Sequence, residues 1–327
     1  MENFSSFESE IYRVNERSFT DLALRVFRFQ AVHNPVYKSF IQRLRVDVTK
    51  VASVEDIPFM PISFFKEHVI KTGDWQEEVT FTSSSTTGTG ASRHPVASLD
   101  FYLQNATKNF EFFFGSLTNY HFLALLPSYL EREGSSLIAM IDHFIRASES
   151  KHSGFYLYNV DQLIRDLNEI DDTRQIVLWG VSYALLDLAE QHPMELKAML
   201  FETGGMKGRR KELIRDDLHQ TLTRAFGVKT IHSEYGMTEL LSQAYTRGGT
   251  RFNCPPWMRI VGRDLTDPLT KGLLTETSGI NVVDLANLHS VAFLETQDLG
   301  KVFEDGTFEI LGRTDNSDVR GCNLLVN

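Results

Sequence analysis

An α/β fold with layered sheets flanked by helices is predicted by three observations: apolar runs closed by turn residues, helical patterns between them, and a late shift to short strands and turns. Near the start, Phe19, Leu22, Ala23, Val26 and Phe27 fall at i, i+3, i+4, i+7 and i+8, the spacing of a helix with one buried face. Three runs read as buried strands: 121–126 stops at Pro127, 175–179 stops at Gly180, and 197–201 leads to Gly204 and Gly205. Between and after them, Ser182–Gln191 and Arg210–Phe226 carry amphipathic helical spacing. From about residue 291 the texture is VAFLET, then KVF, then Asp305-Gly306, then TFEIL, and Asp-Gly between β-prone runs signals a hairpin. Nothing in 1–327 reads as a repeat or linker, so the chain is expected to be one continuous catalytic unit with possible subdomains, a strand-and-turn region at 291–315 and a tail at 316–327.

Composition narrows the function classes. The 33 Lys and Arg against 43 Asp and Glu leave a formal charge of −10, which disfavours nucleic acid and anionic membranes as main partners. Two cysteines, Cys254 and Cys322, are too few for a disulfide framework. The first residues lack a basic and then apolar leader, and no uncharged apolar run approaches the ~20 residues of a membrane span. A cytoplasmic protein with no integral membrane segment is the expectation.

Three stretches carry candidate chemistry. Phe81–Gly90 packs Ser83, Ser84, Ser85, Thr86, Thr87 and Gly88 behind the β-prone EEVTF, and hydroxyls, backbone amides and glycine together can wrap a phosphate. A plain Ser/Thr-rich surface loop fits the same letters, and the lysine of a Walker loop is absent. Ser233-Glu234-Tyr235-Gly236-Met237-Thr238-Glu239 follows the strand-like VKTIH, and alone it could be a buried Tyr beside a surface Glu. Last comes Thr296-Gln297-Asp298-Leu299-Gly300, then Asp305-Gly306, then Gly312-Arg313-Thr314-Asp315.

In this order the motifs resemble those of the adenylate-forming superfamily: a serine- and threonine-rich phosphate loop, a Y-G-x-T-E motif, and T-G-D-x-G followed by G-R-x-D. The resemblance implies that superfamily's large N-terminal domain, with ATP and Mg2+ as cofactors and a carboxylic acid as substrate. Residues Ser83 to Gly88 would hold phosphates, and Thr238 would meet them too. Glu239 would hold the metal and, with Thr238, serve catalysis. Glu234, Tyr235, Gly236 and Met237, with Gly204 and Gly205 of the Glu202-Thr203-Gly204-Gly205 turn, would line the adenine. Asp298 would accept from the ribose hydroxyls, Arg313 would assist, and Asp315 would mark a hinge. A carboxylate suits a vicinal diol because its two oxygens accept from both hydroxyls.

The sequence also departs from that pattern. Ser85 stands where the superfamily has glycine, and Arg93 is the cation available in place of its lysine. Twelve residues follow Asp315, which implies that the small C-terminal domain with its lysine is lacking. The ending is similar to the LuxE-type acyl-protein synthetases of bacterial luminescence, which implies transfer of the acyl group to Cys322 and delivery to a partner such as an acyl reductase. A thiol that follows glycine, two residues from Arg320, has a cation to favour its thiolate, whereas a buried cysteine beneath Leu324, Leu325 and Val326 is the structural alternative. Cys254 before Pro255-Pro256 reads as structural. A fatty or aryl acid is expected from 24 Phe and the run 110–115, although such runs more often build cores. Two other functions fit the letters: a truncated acyl- or aryl-CoA ligase or carrier-protein acylating enzyme, and a non-catalytic nucleotide- or acyl-binding scaffold.

Overall fold

The computed structural model describes residues 3–83, 90–126, 134–157, 159–171, 173–204, 213–267 and 270–314. Its first three helices, α1 (Phe4–Ile11), α2 (Glu16–His33) and α3 (Pro35–Arg43), each start at an asparagine whose side chain accepts from a first-turn N–H: Asn3, Asn15 and Asn34. Helix α2 buries Phe19, Leu22, Ala23, Val26 and Phe27, as their spacing predicts.

The short strand β1 (Met60–Pro61) and the turn of helix α4 (Phe64–Glu67) lead to a hairpin of β2 (Val79–Thr82) and β3 (Arg93–Val96). Helix α5 (Leu99–Phe114) starts at the Ser98 cap and stops at Gly115. An alternating region follows: β4 (Tyr120–Leu125), α6 (Ser136–Ala147), β5 (Gly154–Phe155), α7 (Val160–Glu169), β6 (Gln175–Val181), α8 (Ser182–Gln191), β7 (Ala198–Thr203), α9 (Arg215–Phe226) and β8 (Ile231–Tyr235). The rest is strand: β9 (Ala244–Thr246), β10 (Phe252–Asn253), β11 (Met258–Arg263), β12 (Ser278–Asp284), β13 (Phe293–Val302) and β14 (Phe308–Arg313).

One large sheet runs β11-β12-β13-β14-β10-β9-β8-β7-β6-β4-β5, with β1 added beside β13. From β8 to β5 it is parallel, because helices return the chain between strands. From β8 to β11 it is antiparallel. On one face of the parallel part lie Trp179, Phe201 and His232, side by side in register and covered by Phe110 of α5 and Phe144 of α6. The other face carries Glu202 and Ser233, bonded to α9.

Several element boundaries differ from the sequence reading: β6 runs through Gly180 to Val181 and β7 through Glu202 to Thr203, each two residues past the expected end. Helix α9 begins at Arg215 rather than Arg210, and Ile214 before it is extended. The strand read as VKTIH is Ile231–Tyr235, so Ser233, Glu234 and Tyr235 lie within the ladder instead of after it. VAFLET and KVF are not two strands but one, Phe293–Val302, because pairing with β12 and β14 carries through the polar Gln297-Asp298. Gly300 permits this: a side chain there would collide with the Glu309 carbonyl of β14.

Candidate active site

Strands β6, β7 and β8 end together at Val181, Thr203 and Tyr235, and the carboxyl edge of parallel strands is where such sheets leave a crevice for ligands. Pleating sorts the side chains there. Register pairs Glu202 with Ser233 on one face and Thr203 with Glu234 on the other, and Tyr235 returns to the Ser233 face.

Glu202 closes the first face. Its carboxylate meets Arg215 Nε at 3.2 Å and His219 Nε2 at 3.6 Å, and accepts from the Ser182 hydroxyl at 3.0 Å. Burial pushes its pKa up, but His219, Arg215 and Ser233 outweigh that and hold it at about 2.

On the second face, Glu234 accepts from the Thr203 hydroxyl. The residue is partly exposed at the crevice while its carboxyl group is enclosed. Enclosure, against the help of Thr203 and with Glu202 nearby, lifts its pKa to about 7. A raised carboxyl pKa contributes stability below its ordinary range and loses it as pH climbs through about 7. Glu234→Gln therefore raises thermal stability by on the order of 1–2 kcal/mol at about pH 8.5 and changes it little at about pH 5, after discounting for partial exposure. Thermal melts at the two pH values test this, and an equal shift at both contradicts it.

After β8 the chain turns into Gly236-Met237-Thr238-Glu239, and buried side chains from remote elements hold that turn and its continuation. His94 of β3 bonds the Thr238 carbonyl through Nδ1 at 2.9 Å and Ser290 through Nε2 at 3.0 Å, and burial keeps it neutral with a pKa of about 4. Asn287 donates to the Glu239 carbonyl at 2.7 Å. Asp284 accepts from the Leu241 and Ser242 N–H groups at 3.0 and 2.8 Å. From α5, Asn105 donates to the Leu241 carbonyl and Asn109 to that of Gln243. So many fixed partners pre-set the backbone beneath Thr238 and Glu239.

The three sequence motifs converge here. Asp298 on β13 accepts from the Tyr235 hydroxyl at 2.7 Å, and its other oxygen lies 3.4 Å from Nε of Arg313, its cross-strand partner on β14. Glu239 is buried, which raises its pKa, while the nearby Ser92 and the charge of Arg313 pull the other way. Ser92 in turn closes the base of the serine- and threonine-rich loop, donating its N–H to the Ser83 hydroxyl and accepting the Ser83 N–H. Bonds thus tie Ser83 to Ser92 and Arg313 to Asp298 and Tyr235, and Glu239 feels both Ser92 and Arg313, which brings together residues more than 200 apart in sequence.

Gly204, Gly236, Met237 and Thr238 sit at the same edge. Glu234 points away from the Tyr235–Asp298 pair, on the opposite face. Arg93 is exposed, opposite Thr82. Ser84, Ser85, Thr86, Thr87, Gly88, Gly205, Asp315 and Cys322 lie outside the described residues. Cys254 is partly buried against the core, and burial pushes its thiol pKa well up, which suits the structural reading. Phe110 is fully buried and Phe114 packs on Phe201 and Tyr245, whereas Phe112 is exposed, so the run at 110–115 is divided between core and surface and gives no argument for a fatty chain.

The sequence reading missed His94, Ser92, Asn105, Asn109, Asp284 and Asn287. A signal existed in α5: Tyr102, Asn105, Ala106, Asn109 and Phe110 form one buried stripe in which two of five places are asparagine. Asp284 within the apolar run 280–286 was a similar sign.

No group of three or more acidic, His or Cys side chains among the described residues forms a ready-made metal cage. Mg2+ needs none, because it takes one or two carboxylates and fills its shell with phosphate oxygens and water. Glu239, a buried carboxylate beside a hydroxyl, fits that demand.

The fold is shared with acyl-CoA ligases of the adenylate-forming type, as the motif order implied. A 2-hydroxyisobutyryl-CoA ligase in its postadenylation state with 2-HIB-AMP superposes with a TM-score of 0.69 at 13% identity, over 96% of this chain and 72% of that one. ATP-bound MatB from Rhodopseudomonas palustris gives 0.55 at 16% identity, over 72% and 47%. The O-succinylbenzoate coenzyme A synthetase MenE of Bacillus subtilis, with AMP, gives 0.52 at 15% identity, over 74% and 50%. The chain thus spans about half the length of MatB and MenE. Neither a protein-family model nor a curated protein matches the sequence. No helix among the described residues is long and apolar enough to cross a membrane.

Proposed function

We propose that this chain activates a carboxylic acid with ATP, forming acyl-AMP and pyrophosphate. The observation that carries the reading is the meeting of Glu239, Ser92, Arg313, Asp298 and Tyr235 at the carboxyl edge of the parallel strands. Likeness of fold to proteins solved with ATP, AMP and 2-HIB-AMP supports it.

In the proposed step, a carboxylate oxygen of the acid bonds to the α-phosphorus of ATP and the bond to the pyrophosphate oxygen breaks. Asp298 orients the ribose through its hydroxyls, with Arg313 beside that carboxylate. The loop that starts at Ser83 and the Thr238 hydroxyl donate to phosphate oxygens. Glu239 would hold Mg2+, which when bound offsets phosphate charge as the oxygens are approached. ATP–pyrophosphate exchange over a panel of carboxylic acids tests the reading, since it reports activation whatever the acceptor. Acid-dependent exchange is the expected result, and none with any acid favours the nucleotide-binding scaffold.

For the second step, similarity of the ending to acyl-protein synthetases favours Cys322: its thiolate attacks the acyl carbonyl, AMP leaves, and the thioester goes to a partner such as an acyl reductase. Cys322→Ser then keeps pyrophosphate exchange but forms no acyl-protein labile to neutral hydroxylamine, because an alkoxide leaves far less readily than a thiolate. Labile labelling equal to the parent's moves the acceptor elsewhere. Consumption of coenzyme A with neither protein labelled supports the truncated-ligase reading.

A further inference from the structure

The crevice edge has two faces, and the steps above use only one. Tyr235, Asp298 and Glu239 serve the nucleotide, whereas Glu234 leaves the same strand end in the opposite direction. An acid that reacts with the α-phosphorus must come from the side that the nucleotide does not fill. Glu234 is on the face away from Asp298, which gives it to the acid and not to the adenine that the motif resemblance implied.

Its carboxyl group is fixed at a definite place. One oxygen accepts from Thr203, itself held in register across from Glu234 on β7. The other lies against Gly236: a side chain added there would collide with Glu234 Oε1. That oxygen therefore hangs over the first residue of the turn that leads to Thr238 and Glu239, beside the reacting groups. Beneath it, Tyr245 faces Glu234 across the β8–β9 ladder and Tyr102 lies close enough to feel its charge, so the floor is aromatic. No cation pairs with Glu234 among the described residues; the cations at this strand end, Arg215 and His219, are on the other face with Glu202. With no cation beside it, a carboxylate so enclosed is costly beyond what the Thr203 hydroxyl offsets, and a further donor at Oε1 would relieve it.

We propose, resting on the adenylation reading, that Glu234 is a specificity-determining residue and that the acid activated here carries an N–H or O–H donor close to its carboxyl group. An amino or hydroxyl group on the carbon beside the carboxyl would reach Glu234 Oε1 while the carboxylate faces the nucleotide. An unsubstituted alkanoic acid offers nothing to that oxygen. A second carboxylate at the same place would be repelled.

Pyrophosphate exchange with acids of matched length, bearing a 2-amino group, a 2-hydroxyl or neither, tests this. One of the donor-bearing acids is expected to exceed the unsubstituted acid by about 10-fold or more in kcat/KM, and which one identifies the donor. Glu234→Gln is expected to shrink that ratio about 10-fold, with the KM for ATP unchanged. Thr203→Val, which frees the carboxyl without removing it, is expected to shrink it less. A preference for the unsubstituted acid overturns this inference and leaves adenylation standing. So does an equal fall for all acids in Glu234→Gln, the mark of a purely structural role. No exchange with any acid overturns both.

Discussion

Replacing Glu239 by glutamine lowers ATP–pyrophosphate exchange about 10²-fold or more, equivalent to at least about 2.7 kcal/mol of transition-state stabilisation. Glutamine has the same shape, and the backbone of the turn stays tied to His94, Asn287 and Asp284. What it loses is charge, and a neutral amide is a poor ligand for a hard divalent cation. Because burial already disfavours the ionised form of Glu239, removing the charge does not harm folding, and the variant should melt no lower than its parent. The loss should therefore appear in the rate and in the Mg2+ concentration needed for half-maximal exchange. Exchange at the parent's rate rules out Glu239 as the metal ligand.

Asp298→Ala weakens ATP binding by about 10²-fold, from two hydrogen bonds to a charged acceptor at about 1.5 kcal/mol or more each. Its position suits two hydroxyls: one oxygen is oriented by Tyr235 and the other by Arg313, so the carboxylate plane is set before the nucleotide arrives. The same substitution leaves the buried Tyr235 hydroxyl without that partner, so a fall in stability of about 1–3 kcal/mol accompanies it. Calorimetric titration with ATP, on protein shown by its melting curve to be folded, separates the two effects. Unchanged affinity in folded Asp298→Ala removes the ribose role.

Short-range pattern was enough for many elements. Helix α8 occupies Ser182–Gln191 as read, and α2 buries the five residues its spacing picked out, because helical periodicity is a local property of side chains facing one core. The hairpin of β13 and β14 closes around Asp305-Gly306, where Gly306 has φ of 79°, a conformation that glycine adopts without strain. Motif order also identified the fold, since glycines, hydroxyls and carboxylates at a crevice answer to local chemistry and leave a readable trace.

Tertiary structure alone decided which way each motif residue points. Ending a strand at Tyr235 instead of three residues earlier, at His232, places Glu234 and Tyr235 on opposite faces of the sheet, so neighbouring letters of the motif point apart. Strand register depends on partners far along the chain, such as Thr203 and Tyr245, which no local window contains. The supports of the Thr238–Glu239 turn are equally remote: His94, Asn105, Asp284 and Asn287 belong to three separate stretches. Each makes a hydrogen bond whose value depends on burial, and burial exists only once the sheet and α5 have closed over the turn.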